Sequence, residues 1–199
     1  GLNCFVKNGE RIHYYHQLLL NKAIYLDKLN RAEKAYEVIE KLHEEIKKQD
    51  CSYKIQIRTV IQVYTMYAIL LNKLGMQEKA LSYCKLGIEI ATRNREFDRL
   101  LTLRITMATI YDDLGNLKEA EKNYARALIL KEKVKRKYLL VPVYIGLGTH
   151  NAKKGKWKEA QAYLEKAIEL SETYNNVSEL IDSLLSLGSC LEDQKKYEQ

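Results

Sequence analysis

One phrase recurs along this chain at a constant interval, and it restricts the fold more than any other feature. Three glycines stand 40 residues apart, at Gly75, Gly115 and Gly155. An alanine follows each glycine after five residues, a larger side chain comes four residues later, and a small residue three after that. In the middle copy these are Ala120, Tyr124 and Ala127. Steps of four and three place all of them on one helix face, and repetition at a fixed period indicates stacked repeats.

A second helix precedes each glycine. Seven residues before the glycine lies another small residue, flanked by large apolar ones at helical spacing; the three are Ala68, Ala108 and Gly148. The glycine ends this first helix, because it adopts the left-handed conformation without a Cβ penalty. Asn30 takes the place of the glycine in an earlier copy, and asparagine also tolerates that conformation. The repeat therefore predicts a helix hairpin, and the whole chain an all-α fold.

The composition agrees with a helical chain, and the sequence lacks the motifs of several kinds of functional site. A single proline and nine glycines among 199 residues are few for an all-β protein. The four cysteines lie far apart without a C-x-x-C pair, so we expect a reducing, cytoplasmic setting. We find no nucleophile elbow, phosphate loop, H-E-x-x-H or paired catalytic carboxylates, and therefore expect no enzyme, no cofactor and no metal site. No apolar run reaches the length of a membrane span.

The repeated letters resemble the tetratricopeptide repeat (TPR). The stretch 102–130 carries the pattern most fully, with Met107, Ala108, Tyr111, Gly115, Leu117, Ala120, Tyr124 and Ala127 in matching slots. The resemblance implies a right-handed superhelical array of antiparallel helix hairpins, about four of them, with a final unpaired helix. The usual repeat has about 34 residues, whereas this one has 40. In that length it is similar to the Rap, NprR and PlcR group of bacterial peptide-pheromone receptors.

The register predicts the extent of each hairpin within a single array covering residues 1–199. The expected hairpins are 11–48, 54–93, 97–133 and 138–174, and the lone final helix is 178–195. Because the chain stops inside a repeat, at "LEDQKKYEQ", we expect it to be part of a longer protein.

In such an array the first helix of each hairpin lines a concave face, where a short peptide or protein segment would bind. The predicted binding positions mix apolar, amide, hydroxyl and charged side chains: Asn21, Thr65, Met66, Ile69, Asn72, Lys73, Thr106, Thr109, Asp112, Asp113, Thr149 and Lys153. The final helix adds inward positions Asp182, Leu185, Ser186, Ser189, Glu192 and Asp193. The lip of this face is locally acidic, so we expect no direct contact with nucleic acid and no membrane partner.

Three functional interpretations stay open. The first is a peptide- or protein-binding module, in the pheromone-receptor version the sensing portion of a quorum-sensing transcriptional regulator. Residues 1–30 do not resemble the DNA-binding helix-turn-helix of the PlcR- and NprR-like proteins, so this version expects the sensor portion alone. The second is a structural scaffold or oligomerisation module, with self-association through the terminal repeat. The third, a Rap-like phosphatase acting on response regulators, needs an N-terminal helical bundle, which we do not find in the sequence.

Three weaker features have ordinary explanations. His13 and His16 are spaced for a metal on one helix face, but no carboxylate or cysteine is placed to complete the site. The basic segment 131–137, "KEKVKRK", falls in a connection, where a solvated charged stretch is the usual case. Cys84 occupies a core slot of the repeat and is interpreted as a packing residue.

Overall fold

Helix hairpins follow one another throughout the part of the chain that the structure, a computed structural model, describes: residues 9–48 and 56–198. No strand occurs there. The helices are α1 (Gly9–Lys28), α2 (Ala32–Lys48), α3 (Ile57–Lys73), α4 (Gln77–Arg93), α5 (Phe97–Asp113), α6 (Leu117–Ile129), α7 (Val141–Lys153), α8 (Trp157–Thr173) and α9 (Val177–Glu198). A short 3₁₀ helix (Lys137–Leu140) precedes α7. The prediction of an all-α fold built from TPR-like hairpins is confirmed.

The turn glycines have the conformation that the repeat predicts. Gly75, Gly115 and Gly155 have φ of 76°, 71° and 70°, and Asn30 has φ of 56°. After α3, the amide of Gly75 donates to the carbonyl of Asn72 (3.0 Å), and the next amide donates to that of Leu71 (2.8 Å). This pair of bonds is a Schellman motif, which satisfies the last carbonyls of the helix. The turn after α5 repeats it.

Two further helices end in the same way without a glycine. Arg95 after α4 and Asn175 after α8 have φ of 53° and 51°. Their turns carry the matching bonds, from Arg95 to Thr92 (3.2 Å) and from Asn175 to Glu172 (3.0 Å). The sequence analysis predicted the turns at the three glycines and at Asn30 but not these two, and an arginine is uncommon in the left-handed region.

The first compact unit comprises residues 1–99. Its hairpins pack through fully buried small and aliphatic side chains such as Ala35, Ile39 and Cys84. An aromatic cluster links α2, α3 and α4, and its closest pair, Tyr67 and Tyr83, has ring centroids 4.5 Å apart. The interpretation of Cys84 as a packing residue is confirmed by its burial, which raises the pKa of its thiol to about 12.

The second compact unit comprises residues 100–199. Gly148 shows why small residues recur in the pattern: a Cβ there would lie 2.5 Å from Cγ of Leu164 and 3.2 Å from the carbonyl oxygen of Ala160. Leu164 and Ala160 are fully buried. The missing side chain therefore lets α7 and α8 approach closely.

The basic segment 131–137 lies in the connection between α6 and α7, and its last residue, Lys137, begins the 3₁₀ helix. Lys131, Lys133, Lys135 and Arg136 are exposed, whereas Val134 is buried. The connection is anchored by that one apolar side chain and leaves most of its basic groups in solvent.

Candidate functional site

The predicted binding positions of the first unit lie on α1 and α3, which contact each other. Asn21 and Lys73 are exposed, and Thr65, Ile69 and Asn72 are half-buried. The ammonium of Lys73 lies 2.6 Å from the carboxylate of Asp27, so this lip charge already has a partner. Thr65 donates its hydroxyl proton to the carbonyl of Ile61 at 2.8 Å.

Met66 needs a correction. The sequence placed it on the open face, but its side chain is buried. It belongs to the apolar packing of the first unit and offers little surface to a ligand. The helical register alone cannot distinguish the edge of an open face from the adjoining packed face, because the two differ by one position around the helix.

Asp112 also departs from its predicted role at the lip of the second unit. Its carboxylate is buried, and Oδ1 lies 2.7 Å from Nδ1 of His150. The phenol of Tyr124 donates to Oδ2 at 3.1 Å. The expectation that Asp112 points into an open groove is therefore wrong: its charge is held between α5, α6 and α7.

The surroundings of Tyr124 in this buried network keep its phenol protonated. Burial, together with the nearby carboxylate of Asp112, raises the pKa of the Tyr124 phenol well above its usual value. The phenol therefore stays protonated and remains a hydrogen-bond donor to Asp112 at neutral pH. The hydrogen bonds among these three side chains link the α5–α6 hairpin to α7.

The other predicted positions of the second unit remain accessible. Thr109 and Asp113 on α5 are exposed, and Thr106 is half-buried, with its hydroxyl donating to the carbonyl of Thr102 at 3.0 Å. Thr149 and Lys153 lie on α7, half-buried and exposed respectively.

A groove of about 430 Å³ runs between α7 and α9 and brings several predicted positions together. Its lining is Thr149, Ala152, Lys153, Leu185, Ser186, Ser189, Cys190 and Asp193. The repeat register had assigned six of these eight to the inward face. The other two, Ala152 and Cys190, adjoin predicted positions in the sequence but were not predicted themselves.

The groove combines apolar surface with hydrogen-bond acceptors and both signs of charge. Thr149 and Ser186 donate their hydroxyl protons to the carbonyls of Gly146 (3.0 Å) and Asp182 (2.8 Å) in their own helices. Their oxygen lone pairs are left as acceptors. Leu185 is exposed at 68% and offers apolar contact area. This lining suits an extended segment with amide donors and an apolar side chain.

The charged residues of the groove lining are Lys153 on α7 and Asp193 on α9. Lys153 is exposed and forms no ion pair with residues 9–48 or 56–198. Asp193 lies 3.9 Å from Lys196 in the next turn of α9. Burial, and the carboxylate of Asp193, raise the pKa of the Cys190 thiol, so this cysteine is a neutral side chain at physiological pH.

The histidine pair and the lengths of the apolar helices were two further subjects of the sequence analysis. His16 is buried, with Nε2 3.1 Å from the carboxylate of Glu45, whereas the side chain of His13 lies outside the described residues. Within the described ranges no group of three or more His, Cys, Asp or Glu side chains is arranged to hold a metal ion. None of the helices described is both long and apolar enough to span a bilayer.

Consecutive antiparallel hairpins with left-handed turns and interlocking small and large residues define a helical-repeat protein. The family model of the tetratricopeptide repeat matches residues 101–133 and 141–174. These two segments of the chain therefore match the tetratricopeptide repeat, and the fold is similar to those of Rap and PlcR. A comparison with curated protein sequences gives no match.

Solved structures share this fold at low sequence identity. A Rap protein complexed with Competence and Sporulation Factor is 18% identical with a TM-score of 0.79, covering 99% of this chain and 54% of its own. PlcR of Bacillus thuringiensis, in complex with the peptide PapR7 and DNA, is 16% identical with a TM-score of 0.74, covering 96% and 66%. BtubC (BKLC) from P. vanneervenii is 19% identical with a TM-score of 0.68, covering 94% and 77%. This chain thus spans about half of the Rap protein and two thirds of PlcR.

Proposed function

We propose that this chain is a peptide- or protein-binding module and that a short extended segment binds in the groove between α7 and α9. The groove carries the proposal, since positions that the repeat register directs inward line one concave space of about 430 Å³. Ligand pockets fall in a range of about 300–1,000 Å³. No catalytic constellation is needed for this role.

The lining indicates what such a segment would look like. An aliphatic or aromatic side chain would rest on Leu185 and Ala152, while its backbone amides would donate to Thr149 and Ser186. The ammonium of Lys153 would donate to a carboxylate, such as a peptide C-terminus or an acidic side chain. Asp193, on the facing helix, would attract an amine. A short peptide with an apolar centre and charged ends meets all four demands.

The finer role is sensory. The Rap structure contains Competence and Sporulation Factor and the PlcR structure contains the peptide PapR7, and both have the fold of this chain. By analogy we propose that the chain is the peptide-sensing portion of a quorum-sensing regulator. Regulation of transcription by the whole protein belongs to the same proposal.

The direct test is selection from a random heptapeptide library on the purified chain, followed by calorimetric titration of the selected peptides. Leu185→Arg fills the groove with a charged side chain, and Lys153→Glu reverses its charge. We expect both variants to weaken the selected peptides by roughly tenfold or more. Leu86→Arg is the matched control, since Leu86 is an exposed leucine on α4, in the other unit. Circular dichroism checks that every variant is folded.

Two results would count against the proposal at different levels. Peptides that bind Leu185→Arg and Lys153→Glu as tightly as the unmodified chain would place the site elsewhere. Small-angle scattering of the saturated complex tests sensing separately, because a sensor must bind its peptide differently in two conformations. An unchanged scattering curve would leave a binding module but remove the sensory role.

A further inference from the structure

Positive charge is concentrated on α6 and on the connection that follows it. Residues 117–137 carry eight basic and three acidic side chains, a net charge of +5, whereas the whole chain has +7. Lys118, Lys122 and Arg126 are exposed and follow one another at intervals of four residues, so they lie along one side of the helix. Most of the net positive charge of the chain is therefore local to this part of the third hairpin.

An exposed isoleucine stands among these charges. Ile129 is exposed at 73%, more than any other large apolar side chain that the structure describes. It follows Lys122 by seven residues and Arg126 by three, on the same face of α6. At this position of the repeat the second helix of each other hairpin has an exposed glutamate: Glu44, Glu89 and Glu169. The isoleucine therefore leaves the basic face without a carboxylate at this position and gives it apolar contact area.

The connection after α6 brings further cations to the same end of the helix. α6 has 13 residues, whereas α2, α4 and α8 have 17 each. The segment 131–137 takes the place of the missing turn, and the amides of Lys131 and Lys133 donate to carbonyls at the end of α6 at 3.0 and 2.8 Å. Val134 is buried and holds the segment against the second unit. The exposed side chains of Lys131 and Lys133 therefore belong to an ordered turn that directly follows Ile129.

Helix α5 adds a half-buried arginine beside this face. Two other hairpins have tyrosine rings at the equivalent contact, with centroids 5.7 and 6.4 Å apart: Tyr64 with Tyr83, and Tyr144 with Tyr163. Here Arg104 donates instead to Oδ1 of the buried Asn123 at 3.1 Å. Burial, and then the charge of Arg126, lower the pKa of Arg104, so the two guanidinium groups repel each other. Neither of them forms an ion pair with a carboxylate of residues 9–48 or 56–198.

We propose that the α6 surface, which comprises Lys122, Arg126, Ile129 and the segment 131–137, binds an acidic segment of a partner protein. An apolar side chain of that segment packs on Ile129, and carboxylates on either side of it pair with Arg126 and with the lysines of the connection. Charge complementarity selects this occupant, because carboxylates neutralise a local net charge of +5 and give Arg126 the ion pair that it lacks. The α6 surface shares no residue with the groove between α7 and α9, so this inference goes beyond the proposed function.

Other anionic partners fit this surface less well. A nucleic-acid backbone has no apolar group to place on Ile129, and three carboxylates in the same stretch would repel its phosphates: Glu119, Glu121 and Glu132. A short acidic segment avoids these carboxylates by contacting only the cations around Ile129. A second copy of the chain would bring the same positive surface and a net charge of +7, so that like charges would meet.

A designed peptide of sequence EELAEELAEELAEEL, labelled with fluorescein, is the probe, and fluorescence polarisation measures its binding to the full chain. Two matched peptides separate the contributions of charge and apolar contact: one has glutamine in place of every glutamate, and the other has alanine in place of every leucine. We expect the acidic probe to bind saturably and to weaken as salt is raised. The glutamine peptide should bind about tenfold more weakly, and the alanine peptide about fivefold more weakly.

Substitutions in the chain locate the site. Arg126→Glu should weaken the acidic probe about tenfold, and Ile129→Ala about fivefold. Lys166→Glu is the matched control, because Lys166 has the repeat position of Arg126 on α8 and the change in charge is the same; its effect should stay below about twofold. Leu185→Arg, which blocks the groove between α7 and α9, should leave the affinity unchanged, so the two proposals fail independently. All these positions are exposed, and circular dichroism should show every variant folded.

Four outcomes would overturn this inference. The first is the absence of saturable binding by the acidic probe at low salt, and the second is an affinity that neither Arg126→Glu nor Ile129→Ala lowers. The third is tighter binding of a thymidylate oligonucleotide of matching length, with Ile129→Ala without effect on either ligand, because the surface would then be a general polyanion site. The fourth is an oligomer in sedimentation velocity that Arg126→Glu converts to monomer, because a second copy would then occupy the α6 surface.

Discussion

Two glycines 40 residues apart offer a sharp test of the packing, because the same substitution should have opposite effects at the two sites. Gly148→Ala and Gly188→Ala both replace glycine inside a helix by the best helix former, which stabilises a helix by about 1 kcal/mol. At Gly188 the new Cβ meets nothing within 4 Å, so we expect the free energy of unfolding to rise by about that amount. At Gly148 the Cβ would lie 2.5 Å and 2.8 Å from two carbons of Leu164.

Leu164 cannot move aside cheaply. It is fully buried, and the carbonyl oxygen of Ala160, 3.2 Å from the added carbon, belongs to the backbone of the same helix. Overpacking of this kind costs about 1–3 kcal/mol. The helix-propensity gain is common to both variants, so the difference between their unfolding free energies isolates that contact cost. We expect Gly148→Ala to be the less stable of the two by about 1–3 kcal/mol.

Urea unfolding followed by the fluorescence of Trp157 measures this difference well. Trp157 is the only tryptophan, stands at the start of α8, and lies in the same compact unit as both glycines. The two variants should share one urea m-value, so that the midpoints report stability. If Gly148→Ala proved as stable as Gly188→Ala, the close approach of α7 and α8 would be refuted, together with the reason for small residues in the repeat.

Three further predictions concern other buried positions. Ala120→Leu and Ala160→Leu should each lower the unfolding free energy by about 1–3 kcal/mol, since both alanines are fully buried between helices; unchanged urea midpoints in both would refute the register. Asp112→Ala should lower the free energy of unfolding by about 1–3 kcal/mol, because the buried phenol of Tyr124 and the imidazole of His150 lose their hydrogen-bond partner. A variant as stable as the parent would show that this network does not stabilise the fold. Burial raises the pKa of Cys84 from 9.0 to about 12, so its contribution to stability is complete below pH 9 and is lost as the pH rises towards 12. Comparing unfolding free energies at pH 8 and pH 11 should show a smaller loss in Cys84→Ala, and an equal loss would contradict the assignment.

The repeat made the hairpins predictable because their rules are local. The sequence shows where a glycine or asparagine takes the left-handed conformation. It also shows where small and large residues alternate at steps of three and four. Neither pattern depends on a contact that is distant in the chain. Gly75, Gly115, Gly155 and Asn30 accordingly have positive φ, as expected. Arg95 adopts the same conformation although arginine does not favour it, and its turn carries the Schellman bonds that end the preceding helix.

The candidate site was less predictable, and Asp112 shows why. Its register position is the same as that of Asn72 in the preceding repeat. It became a buried group because His150, 38 residues away, reaches its carboxylate from the next hairpin. Such a contact depends on the relative placement of two hairpins, which periodicity does not encode. The groove between α7 and α9 was anticipated in part, since neighbours one position round the helix complete its wall.

The order of residues along this chain is enough to specify helices, their left-handed ends and the small residues at their crossings, because those properties depend on steric rules acting within about one turn. Tertiary packing decided which charges stay in solvent and which faces stay uncovered. Asp112 is buried and Lys153 is exposed, although both were predicted on the open face. A Cβ at Gly148 would meet Leu164 and one at Gly188 would meet nothing within 4 Å, although the two glycines occupy the same position of the repeat. The difference arises because burial is a property of the neighbours that a position meets in space.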